Sequence, residues 1–289
     1  MSRRVLWLSS LVLALGLCAA SAQPPRERRL GHQAPLLPRP EIVRILAKPF
    51  VHLVTDYYWI QTVQAVGRAT TIAQYRDAYD WALMVAALDP QFRQVYAFVG
   101  VVIPVKRRNG TWANVDESIR LLRLGAERFP NEVFVRLVLA YNLATMKGEF
   151  AEAARVLEEA ARIPGSPAYL APLATRMYAQ AGKFDAAEAF AATLAQDAED
   201  PETRAVFESR LVELQLEREL QQVDAAARAF RARVGRPPQD VNELQRAGDL
   251  AQLPMDPLGG EIVLGADGLA RSTAQQQRLT DFARPEVNP

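Results

Sequence analysis

"GEFAEAA", Gly148 to Ala154, and "GKFDAAE", Gly182 to Glu188, are near copies of each other within one chain. Their offset is 182 − 148 = 34 residues, and it holds again between Phe150 and Phe184 and between Ala153 and Ala187. Each copy reads as a glycine turn followed by the first residues of a helix, since glycine takes the backbone that ends one helix without a side-chain clash. A period of 34 accommodates a helix, a turn and a second helix, which predicts helical hairpins placed one after another.

The residues around the echo carry a resemblance to the tetratricopeptide family. One unit holds Leu137, Ala140, Tyr141 and Ala144, then Gly148, Phe150, Ala153, Leu157, Ala160 and a closing Pro164; the next holds Ala171, Ala174, Tyr178, Gly182, Phe184, Ala187, Ala191, Leu194 and a closing Pro201. Two earlier units resemble the pattern more loosely. One carries Tyr75, Ala78, Ala82, Val85 and Pro90, with its first helix around Trp59; the other carries Tyr96, Val99, Gly100 and Ile103, then Ser118, Leu122, Gly125 and Pro130, split by the insertion "PVKRRNGTWAN". The resemblance spans about 150 residues and implies stacked helix pairs, because one such unit cannot bury its own apolar face. Alanine or glycine where helices cross lets two backbones approach.

Length and composition agree with a folded core: 289 residues, 49% hydrophobic, with 34 basic against 33 acidic side chains. A net charge of +1 supplies no field to concentrate nucleic acid. The one cysteine, Cys18, excludes an intramolecular disulfide and a cysteine-ligated metal. Arg3 and Arg4 precede an apolar run from Val5 to Cys18, and Ala20-Ser21-Ala22 has the small-x-small pattern of a signal-peptidase site. The favoured reading is an export signal cleaved after Ala22. Retention of the run as a short anchor, and a lipoprotein box at Leu15 to Cys18, are the alternatives. All three place the remaining chain outside the cytoplasm, in the periplasm or at the membrane.

Residues 23–40 are rich in proline and arginine and read as a linker. From Glu41 the apolar positions Ile42, Ile45, Leu46, Phe50, Leu53, Tyr57 and Ile60 follow helical spacing. In the segment 202–235, Leu216, Leu220, Val223, Ala227, Phe230 and Val234 give one apolar face to a long helix expected to cap the last pair. After Gly235, Asp240 and Glu243 form a capping box for a short helix, Gly248 stops it, and "EIVL", "GADG", "LARS" read as a hairpin. This segment resembles the tail of type II secretion pseudopilins. The expected architecture is all-α: a leader over 1–22, a linker over 23–40, about four helix pairs over 41–201, a capping helix over 202–235, a helix-and-hairpin subdomain over 236–273 and a frayed polar tail over 274–289.

Catalytic constellations are not found. His32 and His52 form no metal-ligand spacing, and His52 lies four residues before Asp56, a surface or core-edge pair. Glu158 with Glu159, and Glu217 with Glu219, read as solvated helix faces, since adjacent helical residues point apart. Tyr57, Tyr58 and Trp59 read as core. No phosphate loop or nucleophile elbow is present, and no cofactor or metal is expected.

Two stretches suggest binding. The inner wall of the expected stack holds Gln94, Phe98, Val135, Val138, Asn142, Met146, Tyr169, Arg176 and Gln180, a mixture suited to an extended peptide or a partner helix. Family members that grip a terminal carboxylate use basic and asparagine residues at places occupied here by Ala97, Val101, Val138 and Leu173, so the resemblance does not extend to that clamp. Lys106, Arg107, Arg108 and Trp112 form a basic loop suited to an anionic partner or lipid headgroups, or simply a solvated loop; Asn109-Gly110 within it reads as a turn. The expectation is a non-catalytic interaction scaffold of the bacterial cell envelope, in a secretion or pilus assembly. Its rival is a membrane-tethered subunit of a larger complex or homo-oligomer.

Overall fold

The computed structural model describes residues 34–275 and 277–281, which from Leu36 onward belong to one compact unit. The leader read over 1–22 and the linker up to residue 33 lie outside the described residues. The described chain is mostly helical: α1 (Pro40–Leu46), α2 (Val51–Arg68), α3 (Ile72–Leu88), α4 (Gln94–Val102), α5 (Val115–Arg128), α6 (Val133–Tyr141) running into a π-helical segment (Asn142–Lys147), α7 (Phe150–Ala161), α8 (Leu170–Gln180), α9 (Phe184–Asp197), α10 (Pro201–Val234) and α11 (Val241–Arg246). Two antiparallel hairpins complete it, β1 (Val105–Lys106) with β2 (Trp112–Ala113) and β3 (Ile262–Leu264) with β4 (Ala270–Ser272).

Helix ends follow local chemistry. Thr71 caps α3 through a reciprocal box with Gln74, and Asp200 caps α10 by accepting from the Thr203 N–H at 2.7 Å, with Pro201 in the first turn. Gly148 and Gly182 both take left-handed backbone, with φ of 73° and 67°. The two turns are nevertheless unequal. Lys183 N–H donates to the carbonyl of Tyr178, five residues back, whereas Glu149 N–H reaches Leu143, six residues back. The extra residue is taken up by the π-helical segment before Gly148, which the sequence echo conceals.

Consecutive helices from α2 to α10 pack on one another, and α4 also meets α6, α3 meets α5 and α8 meets α10. One apolar cluster joins α2 to α5 around Val85, Tyr96 and Leu121, and a second runs from α5 to the first half of α10. Closure of the last pair falls to Phe207, Leu211 and Leu214. The face expected to cap it does something else: Leu216, Leu220, Val223, Ala227 and Phe230 form a third cluster with Val241 and Leu244 of α11 and Ala270 of β4, while Val234 is exposed. A helix of 34 residues, about 51 Å long, thus serves two cores in succession.

Three expectations are corrected. Ile42, Ile45, Leu46, Phe50, Leu53, Tyr57 and Ile60 are exposed, Leu46 at 79% and Leu53 at 68%. The buried side of α2 instead carries Tyr58 and two threonines, Thr55 and Thr62, whose hydroxyls donate to carbonyls one turn back at 2.9 Å. Helical spacing reports which residues share a face, and whether another layer covers that face is decided elsewhere. Tyr141, placed at a helix crossing, is likewise exposed. Within the tail read as frayed, Arg278 is anchored in the protein.

The α11 cap yields a pH prediction. Asp240 accepts from the Glu243 N–H at 2.7 Å, and the Glu243 carboxylate accepts from Gln239 N–H at 2.7 Å and from Arg236 at 2.5 Å. The Arg236 hydrogen bond, then the Gln239 amide, holds Glu243 at about 2, below its ordinary 4.5. A depressed carboxylate favours the folded form above its unfolded value and loses that contribution as pH falls through its folded value. Amide exchange in 241–246 is therefore expected to be constant above pH 4.5, after correction for intrinsic rates, and to accelerate between 4.5 and about 2. In Glu243→Gln that acceleration should vanish.

Candidate functional site

An apolar cavity of about 600 Å³ opens among α2, α4 and the start of α6. On α4 the lining residues Gln94, Ala97, Phe98, Val101 and Val102 recur at three- and four-residue steps, so one helical face forms a wall. Trp59 of α2 stands opposite, its ring 5.3 Å from that of Phe92 and 5.4 Å from that of Phe98. These tilted and edge-on contacts fix the indole while leaving part of it facing the cavity. Phe134 and Val135 line the α6 side, and Arg93 with Glu132, 3.3 Å apart, supplies the charge at one end. Its volume falls in the range of ordinary ligand pockets. Because its charged groups pair with one another, its chemistry is that of accepting apolar side chains.

The nine residues expected on the inner wall divide into separate groups. Gln94, Phe98 and Val135 come together in this cavity. Tyr169 and Arg176 line another, of about 450 Å³, between α8, α10 and the C-terminal segment. Gln180 is half-buried on α8 and its Oε1 has no hydrogen-bond partner among the described residues. Met146 packs against the main cluster and Val138 is within it.

Asn142 is a correction, because it is 1% exposed and its amide is turned onto interior partners. Its Nδ2 donates to the Gly100 carbonyl at 3.1 Å and to Ser118 Oγ at 2.8 Å, and Ser118 Oγ donates to the same carbonyl at 2.6 Å. The cause is legible in the chain. The Gly100 carbonyl would receive its helical bond from residue 104, which is Pro104 and has no N–H. A buried acceptor deprived of its helical donor is served by two side chains from later elements.

The basic loop is a tight hairpin. Asn109 Oδ1 accepts from Thr111 N–H and Thr111 Oγ1 at 3.1 and 2.7 Å, and Gly110 has φ of 83°. Arg107 and Arg108 are exposed, and Lys106 Nζ lies 5.9 Å from the Trp112 ring centroid. Of the four loop residues expected to meet an anionic partner or lipid, Trp112 is half-buried against the main cluster and serves packing. Asn114 locks the hairpin in place by donating to the carbonyls of Ile72 at 2.9 Å and Ile103 at 3.2 Å.

No protein-family model and no curated protein matches the chain. Its chemistry has therefore to be read from its own side chains. His52 is exposed, and the carboxylate its Nδ1 approaches, at 3.9 Å, is that of Asp89 and not Asp56. Glu158 is half-buried, bound by Arg162 at 2.6 Å and by the Tyr178 hydroxyl at 2.7 Å; burial first, and then Glu158, pushes the Tyr178 phenol well above its usual range. Among the described residues no group of three or more His, Cys, Asp or Glu is placed to hold a metal ion.

Glu217 is a further correction. It was expected on a solvated face, yet it is 1% exposed and accepts from Gln221, Arg278 and Thr280. Neither it nor Trp59 belonged to the expected site. Trp59 was assigned to the core, against which it packs; that it also borders a cavity could not be read from spacing.

Proposed function

We propose that this chain is a tetratricopeptide-like, non-catalytic interaction scaffold of the bacterial cell envelope that binds an apolar, helix-forming segment of a partner protein. The cavity walled by Trp59, Phe98, Val101 and Phe134 supports this reading most directly. An amphipathic helix presents apolar side chains at steps of three and four, the same spacing that α4 offers, and such ridges interleave. The residue pattern from Leu137 to Leu194 supports the stacked-pair architecture, and the sequence of residues 1–22 supports export. Membership of a secretion or pilus assembly rests on the resemblance of the C-terminal segment to pseudopilins.

The test is selection of displayed peptides on the purified protein, followed by affinity measurement. Selected peptides should share apolar residues at helical spacing. Val101→Asp and Phe134→Asp alter half-exposed side chains and should leave the thermal melt unchanged while weakening binding at least tenfold, since each removes about 1.5–3 kcal/mol of apolar burial on association. Equal affinity for both variants and the unaltered protein defeats the proposal.

The exposed row on α1 and α2 favours a second reading, a tethered structural subunit of a larger complex or homo-oligomer. Seven large apolar residues on α1, α2 and the turn between them are exposed, the kind of surface that marks an interaction site where it is contiguous. In that reading Leu53→Asp abolishes assembly in sedimentation velocity, whereas Val101→Asp does not.

A further inference from the structure

Glu217 and Asp224 lie seven residues apart on α10, two turns along one face, and both are buried, at 1% and 5% exposed. Two carboxylates withdrawn from water on one helix require a cation between them. The cation comes from the C-terminal segment. Arg278, 8% exposed at its side chain, places Nη2 at 2.7 Å and Nε at 3.3 Å from Glu217, and Nη1 at 2.6 Å from Asp224. The planar fork of a guanidinium spans both acids at once, which a lysine ammonium cannot do. Thr280 Oγ1 adds a bond to Glu217 at 2.8 Å, and Leu279 packs on the main apolar cluster.

The segment engages as a ligand does. Among the described residues it joins no sheet or helix, and it folds on itself, with Asp281 N–H donating to the Arg278 carbonyl at 3.2 Å. Beside it the face formed by Tyr169, Pro172, Leu173, Arg210 and Glu213 retains about 450 Å³ of open space. A longer ligand with the same anchor would gain contacts there that the resident segment does not make.

We infer that the α8–α10 face is a peptide-binding surface, that its ligand is a segment with an arginine followed by an apolar residue and then a hydroxyl residue, and that residues 278–281 occupy it in cis. A partner protein carrying such a segment competes with the tail. Because a tethered ligand acts at an effective concentration of about millimolar, the surface is masked in the resting chain and opens to partners that add contacts beyond the anchor. This surface shares no lining residue with the cavity of α2, α4 and α6, so Val101→Asp leaves it intact.

The experiment uses the full chain with Arg278→Ala and a fluorescent peptide spanning 274–289, read by anisotropy. The variant should bind the peptide at least tenfold more tightly than the unaltered chain does, and a peptide with alanine in place of its Arg278 should bind neither. Equal binding of the peptide to both chains, with the variant folded by circular dichroism, overturns the inference. Should the variant not fold, hydrogen exchange of 277–281 in the unaltered chain replaces it: excess peptide should accelerate exchange there, and unchanged exchange overturns the inference.

Discussion

Gly125→Val is expected to lower the melting temperature by about 6–12 °C, corresponding to about 3 kcal/mol at the upper end of overpacking costs for a chain of this size. Gly125 on α5 lies against Tyr96 on α4, and a Cβ at this position would fall 2.7 Å from Tyr96 Cβ and 2.9 Å from its Cγ. No rotamer change relieves a contact with Cβ, so the backbones themselves must separate. Tyr96 has nowhere to go, being fully buried with its ring edge-on to Phe129 at 5.8 Å. The approach is reciprocal, since a Cβ at Gly100 on α4 would lie 2.6 Å from Leu122 Cγ on α5. Two glycines thereby set the α4–α5 spacing. Gly67, on α2, has nothing within 4 Å of its would-be Cβ. There helix propensity acts alone, and Gly67→Ala should stabilise by up to about 1 kcal/mol. A calorimetric series showing both glycines equally tolerant would refute the close-packing account.

Asn142→Asp should be the more severe change, costing about 3–5 kcal/mol at neutral pH as an uncompensated buried charge. The Asn142 amide donates both to the Gly100 carbonyl and to Ser118 Oγ, whose own proton is already directed at that carbonyl. A carboxylate in this place faces a carbonyl oxygen, and the Ser118 hydroxyl can donate to it only by giving up that carbonyl. Burial and that oxygen both raise the introduced acid above its unfolded value, so the penalty is full at high pH and shrinks as pH falls through the raised value. Asn142→Ala should cost less, about 1–3 kcal/mol, and show no such pH dependence. Denaturant melts from pH 4 to 8 distinguish the two. A pH-independent loss in Asn142→Asp would mean that the position is not buried against a carbonyl.

The Asn142 cluster illustrates why the site was only partly legible. Proline at 104 announces that the Gly100 carbonyl lacks its helical donor, but nothing local says that an amide 42 residues later will supply one. On a helical wheel an inward amide and a groove amide look alike. Gln94 and Phe98, four residues apart on the first helix of an expected pair, were readable as one face of α4, whereas Trp59 and Phe134 arrive from other helices. The basic hairpin was legible as a turn, since Asn-Gly is a local preference, and its tryptophan was misjudged, since burial is not local.

By itself the sequence determined where helices begin and end: the glycines at 148 and 182, the caps at Asp200 and Asp240, and the small residues where backbones meet. These depend on interactions within about four residues, and so are present in any short stretch of chain. Tertiary structure alone decided that one apolar face of α1 and α2 stays open, that α10 serves two cores, and that Glu217 is buried by Arg278, 61 residues away. The reason is physical: periodicity specifies which side chains share a face, while burial and charge pairing depend on what another part of the chain lays over it.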